Sequence, residues 1–133
     1  MLMQLVYTSR PTFEPHAPGA GKTLSRYVET LARGRITGQT HGFLVAGADW
    51  IAVALEGESH RMPRLLQAIL VDSRHAHVEI ADMRLVAERS FAGWGVALSA
   101  RHTAALPRNG ALLAFIRTEI RATHAPLRAV ANH

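Results

Sequence analysis

The sequence contains no cysteine, which removes disulfides, thiolate metal sites and a cysteine nucleophile together. Lysine is nearly absent as well: Lys22 stands alone among 15 basic residues, and the arginines are scattered along the chain. No stretch interleaves basic side chains with aromatics, and no helix-turn-helix pattern stands out. The net charge of +5 therefore does not point to nucleic acid, which is bound by clustered Lys and Arg. No apolar run approaches the roughly 18 residues that would span a bilayer. The segment from Met1 to Val6 lacks the basic region and cleavage site of a signal peptide and reads as a strand. The expectation is a cytoplasmic protein without a membrane partner. No HExxH helix, Ser-His-Asp set or carboxylate pair can be assembled, so no enzymatic activity is expected.

What is present suits one domain. At 133 residues and 48% hydrophobic composition, the chain can bury roughly two thirds of its unfolded surface. Gln4-Leu5-Val6-Tyr7 predicts a first strand, followed by a loop rich in Pro, Gly and Ala from Pro11 to Gly21. Thr23 is a candidate N-cap for a helix with Leu24, Tyr27, Val28 and Leu31 on one face. Glycines 34, 38 and 42 lead into a hairpin with arms Phe43–Val45 and Trp50–Leu55. The second arm is apolar at every position, the pattern of a strand covered on both faces. Helices must then lie on one side, and the C-terminal segment or a second subunit on the other.

Ser59 is the candidate cap of a second helix with Met62, Leu65, Leu66, Ile69 and Leu70 as its stripe. Strands are predicted around His77 to Arg89 and Trp94 to Leu98, and an amphipathic helix over Ala111–Arg121, with Pro126 beyond it. The order β-α-β-β-α-β-β with a helical tail is an α+β, ferredoxin-like sandwich. Residues 1–100 are expected to form the domain, and residues 101–133 a helical extension on the sheet or a partner.

Single motifs carry little chemistry. Gly19-Ala20-Gly21-Lys22-Thr23 suggests a phosphate loop, but His16 stands where its first glycine belongs and no strand precedes it, so a flexible loop is expected. His75 and His77 would share a face of a strand, without a third metal ligand. Glu56-Gly57 reads as a turn with a helix-entry charge, and Asp72-Ser73-Arg74-His75 as a helix end with cations near the negative dipole.

In their order, these segments resemble the BLUF domains, blue-light sensors that hold FAD. The resemblance rests on Leu5-Val6-Tyr7-Thr8-Ser9-Arg10, Leu55-Glu56-Gly57-Glu58, Asp72-Ser73-Arg74-His75 and Arg89-Ser90-Phe91-Ala92-Gly93-Trp94. It implies a flavin ring between the two helices, over the sheet. It also implies a tyrosine on the first strand bonded to a glutamine on the third, which in turn holds the flavin N5 and O4. Tyr7 matches the tyrosine and Trp94 the tryptophan of the last strand, while Arg74 and His75 match polar residues near the ring.

Three positions depart from the family. Val53 stands at the glutamine, Arg35 (or Ile36, if one residue is lost) at the asparagine that fixes a flavin carbonyl, and Val96 at the methionine. The chain's glutamines (Gln4, Gln39, Gln67) and asparagines (Asn109, Asn132) cannot be moved into register. Valine neither donates nor accepts, so a flavin edge facing Val53 would lose a partner, at about 1–3 kcal/mol. Two readings follow. One is a sensor-fold domain acting through protein contacts, as a homo-oligomer and with a protein partner, its flavin photochemistry lost. The other is an FAD photoreceptor with an altered pocket. In either reading the cofactor-binding positions are Tyr7, Arg35, Val53, Arg74, His75 and Trp94, and Tyr7 needs a hydroxyl partner that is not glutamine.

Overall fold

The apolar arm lies at the middle of the sheet, which explains why it carries no polar alternation. A computed structural model describes residues 1–33, 39–101 and 106–122. Its elements are β1 (Leu2–Pro11), α1 (Ala20–Arg33), β2 (His41–Ala46), β3 (Ile51–Glu58), α2 (Met62–Val71), β4 (His75–Val86), β5 (Trp94–Leu98) and α3 (Ala111–Ala122). The five strands stand in the order β4-β1-β3-β2-β5. β3 is antiparallel to both its neighbours, and β5 runs parallel to β2. This is the expected α+β sandwich.

Alternation along the strands divides the core into two layers. Leu5, Tyr7, Leu44, Val53, Leu55 and Trp94 face α1 and α2, meeting Leu24, Tyr27, Val28 and Leu31 from the first and Met62, Leu65 and Ile69 from the second. Val6, Phe43, Val45, Ala52 and Ala54 face the other way, onto Leu112 and Ile116 of α3. The C-terminal helix is thus the second cover that β3 requires. It is pinned at its edge: Ser99 donates to the buried Glu119 carboxylate at 2.5 Å, Arg101 pairs with the same oxygen at 3.1 Å, and the Trp50 indole donates to the Arg101 carbonyl at 3.0 Å.

Several local expectations give way to the structure. α1 begins at Ala20, so Thr23 lies inside the helix, and Ala20-Gly21-Lys22-Thr23 is its first turn rather than a flexible loop. Gly19 makes the entry with φ of +85°, a conformation closed to most side chains. Ser59 opens a short 3-10 turn, Ser59–Arg61, without side-chain capping, and α2 proper starts at Met62, where Pro63 needs no amide hydrogen. The stripe of α2 is Met62, Leu65 and Ile69, all buried, with Leu66 partly buried against the same core, while Leu70 is exposed. β4 runs from His75 to Val86 rather than His77 to Arg89. His75 and His77 do not share a face: His77 has φ of +54°, and the register jumps from Thr8↔Glu79 to Arg10↔Ala76. This bulge buries His75 and leaves His77 outside.

Glu56 is also not a helix-entry charge. β3 continues to Glu58, which keeps Glu56 in the sheet, fully buried. Its carboxylate accepts the backbone N–H of Ser90 at 2.8 and 2.9 Å, that of Phe91 at 3.2 Å, and the Gln4 amide at 3.2 Å. It therefore ties the β4–β5 connection to the sheet. Among the described residues, no helix is long and apolar enough to cross a membrane.

Candidate functional site

The antiparallel register sets Tyr7 of β1 directly opposite Val53 of β3, so both side chains enter the helix-facing core. A buried phenol needs a hydrogen-bond partner, and Val53 provides none. The partner comes from α1. Tyr27 sits one turn beyond Leu24 on the apolar face and points its hydroxyl at that of Tyr7, and the two are hydrogen-bonded. Both rings are buried. Burial raises the Tyr7 hydroxyl far above its ordinary pKa, and the neighbouring Tyr27 and Asp72 add to the effect. Burial raises Tyr27 as well, against an opposing pull from its bond to Tyr7 and from Arg74.

His75 closes one side of the pair. Its ring centroid lies 5.1 Å from that of Tyr27 and 6.4 Å from that of Tyr7. Nε2 donates to the Ile69 carbonyl at 2.5 Å, since that oxygen can only accept, while Nδ1 meets the Ser9 hydroxyl at 2.7 Å. Both ring nitrogens are thus engaged by the protein itself, which binds the end of α2 to β1.

Arg74 covers the cluster on the solvent side. Its guanidinium lies 5.4 Å from the centroid of the Tyr27 ring. It grips Asp72 in two-pronged fashion at 2.8 and 2.5 Å and donates to Thr30 of α1 at 3.0 Å. Burial would raise the Asp72 carboxyl, but the hydrogen bonds and charge of Arg74 outweigh it and hold the group below its ordinary value. The bond to Asp72 in turn raises Arg74.

Trp94 lies in the same core layer, and its indole donates to the Thr40 carbonyl at 3.0 Å and hydroxyl at 3.1 Å. The Thr40 hydroxyl donates to Leu31 of α1 at 2.7 Å, so the last strand is fastened to the first helix. Gly42 permits this packing: a Cβ there would stand 2.4 Å from the Ala54 carbonyl and 2.8 Å from the Trp94 ring.

Tyr7, Val53, Arg74 and His75 therefore converge around one point, and Trp94 packs in the layer they share. Arg35 and Ile36 lie outside the described residues. Sequence reasoning missed Tyr27, Ser9 and Asp72. Tyr27 had a usable signal, because a hydroxyl within an apolar helical stripe must find a polar partner once buried. Among the described residues, no group of His, Asp and Glu could hold a metal ion.

Residues 2–97 match a protein family described as BLUF, sensors of blue-light using FAD. No curated protein sequence matches the chain. Among solved structures it is similar to Klebsiella pneumoniae BlrP1 in a manganese and cyclic-diGMP complex, with TM-score 0.57, 25% identity, and coverage of 88% of this chain and 28% of that one. It is similar in fold to a bacterial light-regulated adenylyl cyclase, with TM-score 0.60, 22% identity, and coverage of 93% and 36%. A third similar fold is BlsA in its ground state, with TM-score 0.64, 21% identity, and coverage of 98% and 93%. The chain thus spans well under half of the first two proteins.

The described residues do not fit a flavin held from the third strand. Val53 has no polar atom, the Tyr7 hydroxyl is already paired with Tyr27, and His75 has both nitrogens engaged. Tyr7, Tyr27 and Val53 are all buried by the chain's own atoms.

Proposed function

This chain belongs to the BLUF family of blue-light sensors that use FAD, and from that premise we propose a regulatory domain that works through protein contacts and has lost flavin photochemistry. One observation carries the reading: Tyr27 supplies the bond to Tyr7 that the family takes from a glutamine. The family resemblance further implies a light response in which that glutamine amide reorients. A phenol pair flanked by Val53 has no amide to turn. What remains is a domain whose helices and sheet are locked by Arg74, His75 and Trp94, and whose output is a surface. The neighbours in which this fold fills 28% or 36% of a longer chain support a protein partner as the recipient of that output.

The test rebuilds the cleft in two stages, reading flavin binding by titration and the absorption spectrum under blue light. Val53→Gln with Arg35→Asn is expected to bind no flavin, because Tyr27 still occupies the Tyr7 hydroxyl. Adding Tyr27→Leu is expected to yield a yellow protein, with a reversible red shift on illumination. If the double variant binds flavin with Tyr27 in place, the phenol pair is not the barrier. If the triple variant folds and still ignores flavin, more of the cleft than these three positions has been rebuilt.

A further inference from the structure

β4 stands at one end of the sheet, with β1 as its neighbour. It is 12 residues long, no other strand among the described residues pairs with its outer side, and such an edge presents N–H and C=O groups to another strand. The apolar row that it turns toward the helix side is not fully covered: Ile80 is 46% exposed, Met83 46% and Leu85 51%. Scattered apolar residues need no explanation, but a row of this kind on an open edge does.

The order of residues along that edge is symmetric about a bulge. β1 places Val6 opposite Asp82 and Tyr7 opposite Ile80, so Ala81 is the extra residue. Outward from Ala81–Asp82 come Ile80 and Met83, then Glu79 and Arg84, then Val78 and Leu85. Ile80, Met83 and Leu85 pair with Tyr7, Leu5 and Met3, which puts them on the helix face. Glu79 and Arg84 pair with Thr8 and Gln4, on the opposite face. Residues that oppose each other in an antiparallel ladder share a face. Without the extra residue, positions 80 and 83 would face opposite sides and no two-fold pairing could match them. With it, apolar meets apolar and glutamate meets arginine.

We propose that β4 pairs antiparallel with β4 of a second copy, across a two-fold axis at the Ala81–Asp82 bulge. Ile80 then lies opposite the partner's Met83, and Glu79 opposite the partner's Arg84, each twice by symmetry. Bulges and edge charges ordinarily keep a strand from promiscuous pairing. Here they select one register. The two Asp82 carboxylates approach each other at the axis, an unfavourable contact. Arg84 lies 3.5 Å from Asp82 of its own strand and offsets it in part. The pairing rests on the protein-contact reading and names its surface, but a monomer that binds no flavin would defeat the pairing and leave that reading standing.

Sedimentation velocity over roughly 1–100 µM, with circular dichroism to confirm folding, tests the register. The native chain is expected to dimerise. Glu79→Arg and Arg84→Glu, each at an exposed position, are expected to weaken the dimer about tenfold or more by placing like charges opposite. Mixing the two variants should restore dimers, because one chain then carries arginine at both positions and the other carries glutamate at both. Asp82→Asn should tighten the native dimer. A native chain that stays monomeric overturns the proposal. So does a dimer that neither reversal weakens, or one that mixing fails to restore.

Discussion

Glu56→Ala is expected to destabilise the protein by about 2–5 kcal/mol, a large share of the roughly 5–15 kcal/mol that holds a typical domain. The carboxylate is fully buried and accepts from Ser90, Phe91 and Gln4. Alanine leaves the Phe91 N–H and the Gln4 amide without partners inside the sheet. The Ser90 amide is nearer to solvent and recovers part of its loss from water. Gln4 is already half satisfied, since its Oε1 has no hydrogen-bond partner among the described residues. Glu56→Gln should therefore be milder: its carbonyl retains one acceptor, and its amide can donate to Gln4 Oε1. Urea midpoints at equal m-value check this. A Glu56→Ala change under about 0.5 kcal/mol, the range of ordinary surface substitutions, would show that the carboxylate does not hold the β4–β5 connection.

Raising the pH should unfold the protein as its phenol pair loses protons. Tyr7 and Tyr27 are the only tyrosines in the chain, so tyrosinate absorbance reports the pair alone. Both hydroxyls are raised above the ordinary value of 10.0, so between that pH and their folded values the native state binds more protons than the unfolded one. Their contribution to stability is complete below pH 10 and falls as pH climbs past it, by up to about 2.7 kcal/mol per pH unit for two protons. Tyrosinate should appear in one step, together with loss of folded structure. Tyr7→Phe should roughly halve the slope and, by orphaning the Tyr27 hydroxyl, cost about 1–3 kcal/mol at neutral pH. A smooth tyrosine titration near pH 10 in protein that remains folded would mean the pair is not buried as described.

Much of the architecture was readable in the sequence because burial leaves a pattern. Trp50 to Leu55 has no polar position, and only the middle strand of a sheet covered on both sides allows that. The sheet-facing stripes of Leu24–Leu31 and of Leu112–Ile116 are equally direct. Tyr27 was legible as a core residue whose hydroxyl needs a polar partner, but not as the partner of Tyr7, because 20 residues separate the two and only the packing of α1 on β1 joins them. The bulges at His77 and Ala81 leave no mark in composition, yet they decide which face each later residue of β4 takes. Glu56 looked like a turn charge because the strand was expected to stop at Leu55. Its continuation to Glu58 turns the carboxylate inward, onto amides more than 30 positions away.

The visible absorption of the protein purified from a flavin-replete host, followed by titration of added FAD, tests the central claim most directly. With the Tyr7 hydroxyl held by Tyr27 and Val53 offering no hydrogen bond, the purified protein is expected to be colourless and to take up no flavin on titration. A yellow protein with stoichiometric flavin, or saturable one-to-one binding of added FAD, would contradict it.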